Sequence, residues 1–309
     1  MKKAVTNLKI ARNIIRDNQV KELGEFQKIH SFTTENIKGS LETLNLKDKD
    51  ILTVLSSSDQ LLEMFLRGAR IIDTFDINPL TEEYLYLKLA AILSVSKTEF
   101  IRSFNIKKLQ TLPIKDDKYS LDQYKLLTTM EDQLSHNSYF WEAIFAKNMI
   151  NISKLFYPKP LSPRTLPKVL TYLDKDNYKY LRNNIADLNH SYVKTNLLDI
   201  PKINNKKYDL IYLSNIIEYA NSIFKNEPLE NIKELINNLS SLLNPNGKIV
   251  SYIYSIETES IESPIWQQDY RNSIFTGEEY SYEIFQSIDD IKCNLNTKNH
   301  DACLIYTKK

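Results

Sequence analysis

Side chains that can bind a ligand or move a proton cluster just after apolar runs, where the strands of an α/β sheet end. Asp76 closes the run Ile71-Ile-Asp-Thr-Phe75, and it stands 20 residues beyond Ser56, which follows Ile51-Leu-Thr-Val-Leu55. An acidic group at that spacing is placed to accept hydrogen bonds from both hydroxyls of an adenosine ribose. A charge-assisted bond of this kind contributes about 1.5–3 kcal/mol. The same carboxylate, or Asn78 beside it, would equally cap a helix that begins at Pro79.

The segment Ser56-Ser57-Ser58-Asp59-Gln60 offers hydroxyls and backbone amides at the first strand end, where a helix N-terminus converges on bound ligands. Loops of this type use glycine to let the backbone approach a ligand. Here the five glycines lie elsewhere, at positions 24, 39, 68, 247 and 277. A serine held at positive φ costs about 1–2 kcal/mol. Either the segment is a plain strand-to-helix turn, or its hydroxyls offset that cost.

Two later strand ends carry further candidates. Leu198 and Asp199 follow the third strand, where a carboxylate accepts from an adenine amino group, or simply forms a solvated turn before Pro201. Ser214, Asn215, Glu218 and Tyr219 follow Asp209-Leu-Ile-Tyr-Leu213, on the side where a transferred group would sit; a helix cap and a surface charge are the plainer roles for Asn215 and Glu218. His136 stands out with Asn137, Tyr139 and Trp141, as a base or as an ordinary polar side chain. Trp141 and Phe145, four apart, suit a helix core as readily as a ligand platform.

The elements that must position these groups alternate. Strands are expected at 51–55, 71–75, 192–196, 209–213 and 248–254, with a closing antiparallel pair near 291–296 and 302–307. Helices are expected after Thr34 to about Leu44, from Leu61 to a Gly68 cap, over Leu80–Ala91, and over Leu229–Leu243. This order predicts an α/β fold, a Rossmann-like seven-stranded methyltransferase-type sheet, in a single domain over 1–309. A helical segment, 1–47, precedes it, and a large helical insertion at 95–190 separates strands two and three as a lid or substrate lobe. Within it, Ser120–Leu134, Tyr139–Leu155 and Asn177–Ile185 have helical patterns, and Pro158, Pro160, Pro163 and Pro167 mark a connector.

Composition narrows the function classes. Forty basic and 39 acidic residues leave a formal charge of +1, so no global field points to nucleic acid and none is expected as partner. No apolar run has the roughly 18 residues that a spanning helix needs, and the N-terminus lacks the apolar stretch of a signal peptide. A cytoplasmic protein is expected, with peripheral membrane contact left open. Cys293 and Cys303, with His300 between them, have no metal-ligand spacing, and two reduced thiols are expected.

The segments FTTENIKGSL (32–41), ILTVLSSSDQ (51–60), FDINPLTEEYLYLKLAAI (75–92), YLDKDNYKYLRNNI (172–185) and DLIYLSNIIEY (209–219), with Phe140–Trp141, carry a family resemblance. Over about residues 30–220 the chain resembles the diacylglycerol 3-amino-3-carboxypropyltransferases of betaine-lipid synthesis and their bacterial relatives. The resemblance implies S-adenosyl-L-methionine as a substrate. It places Ser56 to Gln60 around the methionine part, Asp76 and Ile77 at the ribose and adenine, and Ser214 and Asn215 at the reacting end, with Asn78 a further cofactor-binding candidate. Thr34, Ser57, Asn215 and Tyr219 would orient the amino acid chain. Members carry Ser-(Ala/Ser)-Gly-Asp-(Asn/Gln) in the first loop, whereas Ser58 holds the glycine place here. The activity implied is transfer of a 3-amino-3-carboxypropyl group to a small-molecule or lipid acceptor. Plain methyl transfer and a catalytically silent binding module are the alternatives. An acceptor hydroxyl would need a base within about 3 Å, for which His136, Glu218 and Tyr219 are the candidates.

Overall fold

The computed structural model describes residues 6–7, 9–11, 28–104, 155–157, 161–219, 228–256, 280–285 and 300–308. These divide into two compact units: Met1–Thr34, Leu55–Leu66 and Asp76–Leu188 form the first, and Glu35–Val54, Arg67–Phe75 and Asn189–Lys309 the second.

The second unit is built on a sheet. Its strands are β1 (Asp50–Val54), β2 (Ile71–Asp76, whose last residue belongs to the first unit), β3 (His190–Lys194), β4 (Tyr208–Tyr212), β5 (Leu243–Ile256), β6 (Tyr280–Phe285) and β7 (His300–Thr307). They lie in the order β3-β2-β1-β4-β5-β7-β6. β1 pairs in parallel with β2 and β4, and β4 with β5; β7 runs antiparallel between β5 and β6. Every residue of β1 is buried, as a continuous apolar run requires of a strand covered on both faces. One apolar layer joins Leu52, Val54, Phe75, Ile211 and Ile249 of the sheet to Ile232, Leu235, Ile236 and Leu239. Those four recur at helical spacing on the helix Pro228–Ser240. The fold is mixed α/β, as the alternation of elements predicts.

Several local readings shift. Asn36 Oδ1, not Thr34, accepts from Gly39 N at 3.0 Å and caps α1 (Ile37–Glu42). β3 starts two residues before the expected segment. Asn244–Gly247 is not a turn ahead of a strand but an irregularity inside β5, where the β4 register shifts between Tyr208 and Leu210. Asn246 there has φ 63°, and a Cβ on Gly247 would lie 2.8 Å from Asn244 O, so only glycine fits. The partner of β7 is Tyr280–Phe285; the segment 291–296, expected in that role, lies outside the described residues, as does Cys293. Cys303 is buried.

The first unit is helical: α2 (Asp59–Leu66), α3 (Leu80–Ser94), α4 (Lys97–Phe104), α5 (Leu166–Val169) and α6 (Lys175–Asn184). Gly68, with φ +81°, follows α2 in the left-handed conformation of a helix end. Aromatic rings of Phe32, Tyr84, Phe100, Phe104, Phe156, Tyr172 and Tyr178 pack edge to face or tilted in its interior. α6 docks on the end of α3 through Arg182 Nε to Ile92 O at 2.8 Å and Tyr178 Oη to Val95 O at 3.1 Å. Of the stretch 95–190, α4 to α6 are described; the expected helices Ser120–Leu134 and Tyr139–Leu155 lie almost wholly outside the described residues. Among the described residues no helix is long and apolar enough to cross a membrane.

Candidate functional site

β1 leads into Ser56–Gln60, and this loop takes the conformation that its sequence resists. Ser56 has φ 45° and Ser58 φ 69°, both in the left-handed region where glycine is at ease. Two serines there cost about 1–2 kcal/mol each, so the surroundings must dictate the shape. Asp59 does so. Its Oδ2 accepts from Thr33 N at 2.6 Å and Ser57 Oγ at 2.7 Å, and its Oδ1 from Tyr172 Oη at 2.6 Å and Lys88 Nζ at 2.7 Å. Lys88 also donates to Ser57 O at 2.7 Å, and both side chains of the Lys88–Asp59 pair are fully buried. The ammonium lies 4.6 Å from the Phe32 ring centroid and 5.1 Å from that of Tyr84. Burial pulls the Lys88 pKa below the ordinary lysine value, and the Asp59 charge opposes that pull.

Within this braced loop two polar atoms are left over. Ser58 Oγ and Gln60 Oε1 are buried and have no hydrogen-bond partner among the described residues. Orphaned buried polar atoms cost about 1–3 kcal/mol each, which makes them the place where a polar ligand gains most.

The chain leaves β2 at Asp76, whose carboxylate turns toward backbone amides. Oδ2 accepts from Ser56 N at 3.0 Å and Oδ1 from Asn78 N at 2.9 Å. Burial pushes its pKa up to about 6 against those hydrogen bonds. Capping falls to Asn78, whose Oδ1 accepts from Leu80 N at 3.0 Å, with Pro79 immediately ahead of α3. Asp76 thus ties the first loop to the second, with Thr81 and the Ile77 amide adding hydrogen bonds to the same carboxylate. Ile77 beside it is 38% exposed.

In the second unit, Ser214 follows β4 with φ 54°, a third serine in the left-handed region. Its carbonyl accepts from Tyr252 N at 2.8 Å, and its hydroxyl donates to Glu35 Oε1. The same oxygen accepts from Asn215 N at 3.2 Å. Glu35 is buried, and burial pushes its pKa up to about 7, aided by the Asp301 charge and opposed by bonds from Ser214, Asn215 and Tyr212. Asp301 in turn accepts from Tyr252 Oη. No reading of the sequence singled out Glu35, although it lies next to Thr34 in FTTENIKGSL.

Asp199 is a turn carboxylate bound to Lys202 at 2.9 Å and to Asn196 Nδ2 at 2.7 Å; the Lys202 hydrogen bond holds its pKa below the usual value. Leu198 beside it is 37% exposed. The backbone of Glu218 and Tyr219 forms a short 3₁₀ turn, Ile216–Tyr219, and their side chains lie outside the described residues. His136, Asn137, Tyr139, Phe140, Trp141 and Phe145 also lie outside them. Among the described residues no group of three or more His, Cys, Asp or Glu could hold a metal ion.

No protein-family model and no curated protein matches the chain. Similar solved structures include a Streptococcus mutans protein assigned as a SAM-dependent methyltransferase, at 11% identity and TM-score 0.37 over 88% of this chain and 46% of that one. The chain therefore spans less than half the length of that protein. The ribosomal protein L11 methylase of Lactobacillus delbrueckii subsp. bulgaricus matches at 12% identity and TM-score 0.37, over 90% of this chain and 79% of that one. The rRNA methyltransferase aviRa of Streptomyces viridochromogenes matches at 12% and 0.38, over 89% and 85%.

Proposed function

We propose that the chain binds S-adenosyl-L-methionine and transfers a group from its sulfonium to a nucleophilic acceptor. The observation that carries this reading is the β1 loop, with two serines in the conformation of glycine and two buried polar atoms lacking a partner among the described residues. It opens from β1, which lies between β2 and β4 in the sheet. There the strand order reverses, and doubly wound sheets take their ligands at such a point. Ser58 Oγ and Gln60 Oε1 fit the amino acid portion of the ligand, Asp76 and Asn78 its ribose, and Ile77 its adenine. Leu198 and Asp199 are further adenine candidates. Ser214 and Asn215 are proposed for the reacting end, with Thr34 and Tyr219 helping to orient the amino acid chain.

When bound, the sulfonium activates three carbons alike, so the choice of group rests on which carbon the protein orients toward the acceptor. The family resemblance favours the 3-amino-3-carboxypropyl group and a small-molecule or lipid acceptor. Methyl transfer is the second reading, and the strand order β3-β2-β1-β4-β5-β7-β6, with β7 antiparallel between β5 and β6, supports it. His136, Glu218 and Tyr219 remain the proposed proton acceptors.

Calorimetry with S-adenosylhomocysteine tests the binding step, and absence of heat at millimolar ligand would overturn it. Asp76→Ala should weaken that affinity by about 1.5–3 kcal/mol if the carboxylate holds the ribose; lost stability with unchanged affinity would leave it a loop tie only. Product analysis over a cell-extract acceptor screen separates the two reactions. Methylthioadenosine marks aminocarboxypropyl transfer, and S-adenosylhomocysteine alone marks methyl transfer.

A further inference from the structure

Ser214 is held from two sides. Its carbonyl is fixed from β5 by Tyr252 N at 2.8 Å and Ser251 Oγ at 3.3 Å. Its hydroxyl and the next backbone amide, Asn215 N, converge on one atom, Glu35 Oε1. The second carboxyl oxygen, Oε2, faces Tyr212 Oη at 3.4 Å, and that hydroxyl also lies 2.9 Å from Ser40 Oγ on α1. From β5 and β7 come Tyr252 and Asp301, joined by a hydrogen bond; Tyr252 Oη also accepts from Asn36 N at 3.0 Å. Among the described residues, the titratable groups gathered around Glu35 include Tyr212, Tyr252 and Asp301.

We propose that Glu35 is a positioning residue for the Ser214–Asn215 turn, and that gain or loss of its proton sets how tightly the Ser214 hydroxyl and the Asn215 amide are held. The ionised carboxylate accepts both bonds at Oε1 as charge-assisted ones, which are roughly twice as strong as neutral bonds. A proton on Oε1 competes with both donors for that atom. A proton on Oε2 meets the Tyr212 hydroxyl and turns it toward Ser40. Either way the hold on a strained serine loosens, and the turn following β4 gains freedom. Since burial and Asp301 bring the Glu35 pKa up to about 7, the exchange falls at neutral pH. Its consequence for ligand binding rests on the S-adenosyl reading above; its effect on the turn does not.

The test is a pH titration of the backbone amides by ¹⁵N nuclear magnetic resonance, from about pH 5.5 to 8.5, on the full chain. The Asn215 amide should shift with a midpoint near 7 and should stay still in Glu35→Gln, whose carbonyl keeps an acceptor without a charge. Asp301→Asn removes the neighbouring charge and should move the midpoint to lower pH; this second variant decides the matter if Glu35→Gln fails to fold. A static Asn215 amide in the unmodified chain, the same titration in Glu35→Gln, or an unmoved midpoint in Asp301→Asn overturns the proposal. In parallel, S-adenosylhomocysteine affinity should rise several-fold across the same midpoint and lose its pH dependence in Glu35→Gln. No binding at any pH, with the amide titration intact, sinks the S-adenosyl reading and leaves the Glu35 assignment standing. Binding in the unmodified chain that ignores pH overturns the link between the turn and the ligand.

Discussion

The loop after β1 and the turn after β4 meet one problem with different means. Each places serine at positive φ, and each relies on a buried carboxylate to keep it there. Asp59 is met by a buried ammonium, Lys88, so charge is balanced within the unit. Glu35 is met by hydroxyls and an amide, with another acid nearby. An ion pair gives a fixed brace, whereas a carboxyl poised near neutrality gives an adjustable one. Removing one partner of a buried pair leaves an uncompensated charge; changing the proton on a hydrogen-bonded carboxyl leaves the packing intact.

The contrast should be largest at Lys88. Lys88→Met should destabilise the chain by about 3–5 kcal/mol in denaturant unfolding, because it breaks a fully buried ion pair by removing one partner. A loss below about 1 kcal/mol would mean that the hydroxyl and amide donors alone suffice to hold Asp59.

Next comes the pH dependence of stability. The Glu35 pKa rises from 4.5 to about 7 on folding, so the folded state holds the proton more tightly. Its stabilising contribution is complete below about 4.5 and is lost as pH climbs through 7, a change of roughly 3 kcal/mol. Asp76, raised from 3.8 to about 6, acts with the same sign. His30, lowered from 6.5 to about 4 by burial, acts in the opposite one: its stability is present above 6.5 and lost as pH falls toward 4. Comparison of Glu35→Gln with the parent chain cancels the last two, and the difference in unfolding free energy should slope downward with pH only between about 4.5 and 7. Parallel curves would mean that Glu35 titrates normally.

The smallest effects are the most diagnostic. Ser58→Gly relieves a strained φ and deletes a buried hydroxyl that no described residue meets, so stability should rise by about 1 kcal/mol. Ser214→Gly relieves the same strain but loses a bond to a carboxyl, so stability should fall by about 1 kcal/mol. Thermal melts that move both variants in the same direction would contradict the claim that the two serines are held differently.

Much of the scaffold could be read because buried parallel strands announce themselves as apolar runs and their helices as 3.6-residue periods. The Ser58 conformation was foreseeable from a missing glycine at a strand end. Lys88 was legible in principle, since a lone charge inside YLYLKLAAIL has to be buried with a partner. Glu35 was not: its partners Ser214 and Asn215 lie 179 and 180 residues away, and no local pattern encodes such a meeting. The period-two alternation of Tyr280-Ser-Tyr-Glu-Ile-Phe285 was a strand signal passed over for an isoleucine-bearing segment further on. Thr34 and Asn36 are both able caps, and choosing between them needs the backbone.

The position of β7 has a consequence for biosynthesis. It is made after β6 yet lies between β5 and β6, so β6 leaves the ribosome before the strand it pairs with. Until β7 arrives, the edge of β5 stays open and Tyr252 lacks Asp301. The Glu35 cluster is therefore completed only once β7 has been translated. A nascent chain can assemble the Lys88–Asp59 brace early, but its second carboxyl centre must wait for the hairpin to close, which couples that centre to the slow, non-local step of folding.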